Sequence, residues 1–203
     1  MGLIKGNPTL TRYRVVDQLT DEFTEDFIGE RLRKFAFIDI EKTSEESSLG
    51  WVELLNELSY DFQLGSFRFG PNYAFILRQD SRKLPPKILN RYYAVLENDF
   101  VKKIGRKPNS VKKKELKENL RQDLMRRCLL STDLYEVAWL TTKNELWLAG
   151  AGEKLRANFE DLWLKTFGLT IRLLVPVTLA LELVPPHRRE DILELVPSLM
   201  DGK

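Results

Sequence analysis

The chain has 203 residues, 43% of them hydrophobic and 31% charged, with 32 Lys plus Arg against 30 Asp plus Glu for a net charge of +2. That composition belongs to an ordinary globular protein and excludes wholesale disorder, collagen-like repeats and a continuous coiled coil. The longest apolar stretch, Ile171 to Val184, is broken by Arg172, Pro176 and Glu182, so it cannot supply the ~20 apolar residues of a membrane span.

In chain order, Thr9 to Asp17 alternates as a strand does. Thr20 or Asp21 then caps a helix through about Phe37, with Phe23, Phe27, Ile28, Leu32 and Phe35 on its buried stripe. Lys42 to Ser48 is a polar loop. Gly50-Trp51-Val52 reads as a strand, and Leu54-Leu55 as a short turn of helix after it. Phe62 to Phe69 and Tyr73 to Gln79 read as two strands around the breaker Gly70-Pro71-Asn72.

Pro85-Pro86 opens a long helix to about Ile104, whose stripe is Ile88, Tyr92, Leu96, Phe100 and Ile104. Gly105 to Asn109 stops it, and Ser110 caps a second helix to about Leu130 on Leu116, Leu120 and Leu124. The short link makes the two helices neighbours. Tyr135 to Thr141 and Glu145 to Ala149 form a second hairpin, and a helix from Gly152 to Phe167 ends at Gly168. Ile171 to Val175 and Thr178 to Val184 read as strands split at Pro176, before a last helix from Pro185-Pro186 to about Leu195. The expected fold is α+β: antiparallel sheets with packed helices in a sandwich, residues 1–84 and 131–203 as the body and 85–130 as an inserted basic helical hairpin.

With His187 and Cys128 the only residues of their kinds, zinc fingers, HExxH proteases and iron–sulfur sites are excluded. Cys128 in a helical pattern and His187 in a Pro-Pro-His-Arg-Arg turn give no sign of a nucleophilic pair. Cys128 reads as a small buried hydrophobe. Gly150-Ala151-Gly152 is a strand-to-helix turn, and no Gly-rich phosphate loop occurs. Asp21, Glu22, Glu25 and Asp26 suit the first turns of a helix, and Glu41, Glu45 and Glu46 a solvated loop. No cofactor or metal is called for. Met1 to Lys5 shows neither a signal-peptide core nor a myristoylation pattern, and a lone cysteine suits a reducing compartment, so a cytoplasmic protein is expected.

The small net charge hides a segregation. Arg82 to Arg127 holds 15 basic and 5 acidic residues, or +10, which leaves −8 on the remainder. A basic hairpin of this kind attracts polyanions through counterion release. It shows no base-reading helix-turn-helix and no RNA-binding aromatic motif, so the contacts expected are to backbone phosphates. Tyr92 and Tyr93 could stack on bases, but their helical spacing favours packing.

Taken together, Phe35-Ala36-Phe37, Gly50-Trp51-Val52, Arg78 followed by Lys83-Leu84-Pro85, Gly105-Arg106-Lys107, and Lys114-Glu115-Leu116-Lys117 form an ordered set. With Arg127, Trp139, Asn144 and Thr166-Phe167-Gly168-Leu169, the chain resembles the recombination-associated protein RdgC family over about residues 9 to 184. The resemblance implies a bacterial, nucleoid-associated protein that binds double- and single-stranded DNA without sequence preference. It also implies a ring-shaped homodimer that restrains the RecA strand-exchange protein, with the hairpin as each subunit's tip. Family members usually carry a further C-terminal region that helps close the ring. Where they tend to have Pro-Arg-Ala-Phe-Ser-Arg, this chain has Arg126-Arg127-Cys128-Leu129-Leu130-Ser131.

The residues expected to meet DNA are Arg78, Lys102, Lys103, Arg106, Lys107, Lys112, Lys113, Lys114, Lys117, Arg121, Arg126 and Arg127. Two other classes of function stay open: a Mg²⁺-dependent exonuclease, and a protein-interaction module that docks the basic hairpin on an acidic partner.

Overall fold

The computed structural model describes residues 9–20, 23–63 and 65–194. Strands β1 (Leu10–Val15), β2 (Ser47–Glu53), β3 (Arg68–Phe69), β4 (Asn72–Ser81), β5 (Ser131–Leu140), β6 (Glu145–Ala149) and β7 (Ile171–Leu173) form one antiparallel sheet. Its order is β2-β4-β5-β6-β1-β7, with β3 paired to the start of β4. The α+β class with helices packed on antiparallel strands is as expected, the strands forming a single sheet. Helices α1 (Glu25–Lys34) and α4 (Glu153–Phe167) lie on one face of it, and α2 (Pro86–Ile104) and α3 (Ser110–Arg127) are inserted between β4 and β5. Two short helices, α5 (Pro176–Leu183) and α6 (Arg189–Leu193), follow β7.

Strand alternation decides which side chains enter the core. Phe75 and Leu77 of β4, Val137 and Trp139 of β5, Leu146 and Leu148 of β6, and Tyr13 and Val15 of β1 all point at α1 and α4. The helices answer with Ile28 and Leu32, and with Leu155, Phe159, Leu162, Trp163 and Phe167. Trp139 meets Trp163 edge-on at 5.0 Å, and Trp163 lies 4.5 Å from Phe167, so this is an aromatic interior in which each ring constrains the next.

On the other face, Phe37, Val52 and Ile76 make a small second cluster. The backbone after α1 runs along β2 there: Trp51 N–H donates to the Phe35 carbonyl and Phe37 N–H to the Trp51 carbonyl. Two segments of the sequence resemblance, Phe35-Ala36-Phe37 and Gly50-Trp51-Val52, are therefore paired in space. Gly50 is required by the close approach, because a Cβ there would lie 2.4 Å from Phe37 Cα.

Several expected elements differ. Helix α1 starts later, at a Thr24 cap whose hydroxyl accepts from Phe27 N–H at 3.2 Å, and ends at Lys34 because Phe35 to Phe37 are taken up along β2. Asp21 and Glu22 lie outside the described residues, while Glu25 and Asp26 occupy the first turn as expected. Ser47 and Ser48 belong to β2 rather than the preceding loop, and Leu54-Leu55 is a bend, not helix. Of the strand expected from Phe62 to Phe69, only Arg68–Phe69 is strand among the described residues, and Leu64 lies outside them. Phe62 adopts φ 45° and enters the core from a loop with Phe67, its carbonyl accepting from Arg33 Nη1 at 2.7 Å.

Thr178 to Val184 is not a strand but most of α5. Pro176 sits at the first helical position, where its missing N–H costs nothing, and Thr178 Oγ1 accepts from Val175 N–H at 2.8 Å. The expected last helix resolves into a 3₁₀ turn, Pro186–Arg188, and α6, and its expected end at Leu195 lies outside the described residues. Gly150-Ala151-Gly152 joins β6 to α4 as the turn expected. Among the described residues, no helix is long and apolar enough to cross a membrane.

Candidate nucleic-acid interface

Helix α2 forms because Pro86 at its start fixes φ without losing a needed hydrogen bond; it ends on Gly105, left-handed at φ 78°. Asn109, rather than Ser110, caps α3, its side chain accepting from Lys112 N–H at 2.9 Å. The helix stops at Arg127, with the half-buried, free Cys128 as its C-cap. Between the caps lie only Arg106, Lys107 and Pro108, so α3 folds back onto α2.

The inward seam of the hairpin is not the stripe expected. Ile88, Tyr92 and Ile104 are exposed, and Tyr93 is the buried residue of α2. Lys113 and Lys117 of α3 bring their ammonium groups over the Tyr93 ring, 5.9 and 4.9 Å from its centroid. Both lysines therefore use their stems and charge to cover an aromatic face. Tyr93 packs, as its spacing suggested, while Tyr92 stays outside.

At the link end the charges converge. Lys102 and Lys103 occupy the last turn of α2, Arg106 and Lys107 the link, Lys112 and Lys113 the first turn of α3, which has no acidic residue, and Lys114 the residue after it. The α2 lysines complement the negative end of their helix dipole, but Lys112 and Lys113 add to the positive end of theirs. That arrangement opposes helix stability and concentrates positive potential at one place. Exposed pairs Lys102–Asp99 at 3.8 Å and Lys112–Glu115 at 2.7 Å neutralise part of it. Among the described residues Lys103, Arg106, Lys107, Lys113, Lys114 and Lys117 make no ion pair. Phe100, Ile104, Pro108 and Asn109 join Arg106, Lys107 and Lys112 around a shallow hollow of about 360 Å³.

The root of the hairpin is held differently. Arg121 pairs with Glu46 in the loop before β2, Leu124 and Met125 are buried, and Arg126 and Arg127 are exposed at the end of α3. Arg78 lies on β4, away from the hairpin's charged end. Its guanidinium donates to the fully buried Asp80 at 2.8 and 3.1 Å and covers the Phe37 ring at 4.2 Å. The hydrogen bond to Asp80 raises the Arg78 pKa.

Arg82, counted with the basic segment, is 5% exposed. It donates to four backbone carbonyls of one loop, those of Ile40, Glu41, Thr43 and Glu45. Sequence reasoning gave no sign of this role, since an arginine beside a lysine before Pro-Pro reads as surface. The twelve expected DNA contacts thus separate: seven at the link end, Lys117 one turn along α3, Arg121, Arg126 and Arg127 toward the root, and Arg78 in the body.

The family model described as "Putative exonuclease, RdgC" matches residues 9–176. The chain belongs to the RdgC family. The match runs from the residue before β1 through the sheet, the hairpin and α4 to the first residue of α5. RdgC family membership makes the chain recombination-associated. No curated protein matches it. For the exonuclease of the RdgC description, among the described residues no three of His, Cys, Asp and Glu are grouped to hold a metal ion.

Proposed function

We propose that the chain is a sequence-tolerant DNA-binding protein of recombination or replication, acting on backbone phosphates of duplex and single strands. It works in the bacterial cytoplasm at the nucleoid, as a homodimer, and limits RecA filaments by occupying DNA. The observation that carries the reading is the convergence of Lys102, Lys103, Arg106, Lys107, Lys112, Lys113 and Lys114 at one end of the hairpin. With 19 residues in α2, that end stands roughly 28 Å from the root, beyond the acidic body. Lys117, Arg126 and Arg127 extend the basic surface. Arg78 and Arg121 would reach DNA only by giving up Asp80 and Glu46.

The test is affinity for an arbitrary duplex against salt. Log K should fall with log salt at roughly −0.9 per contacted phosphate, and charge reversal of Lys112, Lys113 and Lys114 together should abolish most binding. Salt-indifferent binding, or an unaffected triple variant, overturns the reading. The same preparation with end-labelled DNA and Mg²⁺ reads the exonuclease alternative directly as shortening. Failure to bind any DNA at low salt would point instead to an acidic protein partner.

A further inference from the structure

At the root of the hairpin, a groove of about 540 Å³ runs between the ends of β2, β4 and β5 and the first turns of α4. Its volume falls within the roughly 300–1,000 Å³ of built ligand sites. The wall is polar: Ser47, Gln79, Ser81 and Asn158 offer hydroxyls and amides, Asn158 reaches Gln79 at 3.5 Å, and the Ser48 hydroxyl donates to the Ile38 carbonyl at 2.6 Å. Three cations line it, Arg82, Lys83 and Lys154, against the acids Glu46 and Asp133.

Two observations set the sign of its field. Arg82 is bound only by backbone carbonyls, with no carboxylate partner among the described residues, so a buried guanidinium charge stands uncompensated beside the groove. Its buried Nε has no hydrogen-bond partner among the described residues. Burial lengthens the reach of such a charge because little solvent screens it. Meanwhile Glu46 is neutralised by Arg121. Lys83 and Lys154 make no ion pair among the described residues. The groove therefore favours an anion, and no aromatic ring lies among its described lining residues, which disfavours base stacking as the means of holding it.

We infer that this groove seats the sugar–phosphate backbone of a single DNA strand, with Lys83 and Lys154 on phosphates and the hydroxyl and amide groups on sugar oxygens. The inference rests on the DNA-binding reading and adds a division of labour to it. The exposed end of the hairpin meets the phosphates of duplex or single strand alike, whereas a recess of this size admits one strand and not two paired ones.

The experiment compares oligo-dT of 20 nucleotides with a 20-base-pair duplex, for the full chain and for Lys83→Gln/Lys154→Gln. Both side chains are exposed, so the double variant should melt with the parent. Its affinity for oligo-dT should fall about tenfold or more at 0.1 M salt, with the salt slope flatter by about 1.4, from two phosphates at roughly 0.7 each. Duplex affinity should hold. An unchanged oligo-dT affinity, or an equal loss for duplex and single strand, overturns the groove while leaving the hairpin reading intact. A parent chain that binds neither nucleic acid overturns both.

Discussion

Trp51 of β2 and Thr166 of α4 meet in the interior, both fully buried, with the indole N–H donating to the Thr166 hydroxyl at 2.8 Å. The hydroxyl in turn donates to the Leu162 carbonyl at 2.7 Å. The bond joins the edge of the sheet to the helix that covers it, across 115 positions of sequence. Thr166→Val keeps the shape and strands the indole N–H, so it should cost about 1–3 kcal/mol, read as a lower urea midpoint at unchanged slope. Thr166→Ser should retain most of that stability.

Arg82 satisfies carbonyls of the loop from Ile40 to Glu45, and its own N–H donates to the Glu46 carbonyl at 2.8 Å. Arg82→Lys keeps the charge but cannot span four acceptors. The expected loss is about 1–3 kcal/mol, together with faster proteolysis within residues 40–46. Equal protease resistance in variant and parent would show that the loop is held by other means.

Gly50→Ala places a methyl group against the Phe37 backbone at 2.4 Å, and backbone cannot swing aside as a side-chain tip can. A loss of roughly 2 kcal/mol or more is expected, seen as a lower melting temperature. Gly29→Ala meets side-chain atoms instead, the edge of the Phe67 ring at 3.0 Å and Arg33 Nη1 at 3.4 Å, and should cost less.

Lys114 separates stability from binding. It is exposed, makes no ion pair among the described residues, and opens the second turn of α3, where the dipole has largely fallen off. Lys114→Glu should change thermal stability by no more than a few tenths of a kcal/mol while weakening DNA binding. A variant weaker in both would mean that Lys114 supports the hairpin itself.

Acid should loosen the sheet face opposite the main core. Burial acts to raise the Glu145 pKa, but hydrogen bonds from Trp147 and Arg12 and the charges of Arg12 and Arg14 outweigh it, leaving the carboxyl below its ordinary 4.5. Glu182 follows the same pattern: burial is outweighed by Arg14 and Arg172. A depressed folded-state pKa contributes stability above the unfolded value, and that contribution is lost as pH falls through the folded one. Stability should therefore decline below about pH 4.5, and Glu145→Gln should flatten that decline. An identical pH profile in the variant would contradict the assignment.

The sequence by itself determined the α+β class, a helical hairpin within residues 85–130, and the concentration of positive charge there. Those features depend on caps, breakers, periodicity and charge, which act over a few residues. It misread α5 because Val177, Leu179, Leu181 and Leu183 alternate as a strand would, while Pro176 and Thr178 start a helix at the sheet's end. It misplaced the α2 stripe because a seam against one partner helix is narrow, so apolar spacing alone did not select Tyr93. Only the tertiary structure decided which cations are free. Glu46 and the carbonyls of residues 40–45 engage Arg121 and Arg82 from distant segments, and Asp80 engages Arg78 along the same strand because the fold buries that carboxylate; a charge is settled by whatever lies beside it in space.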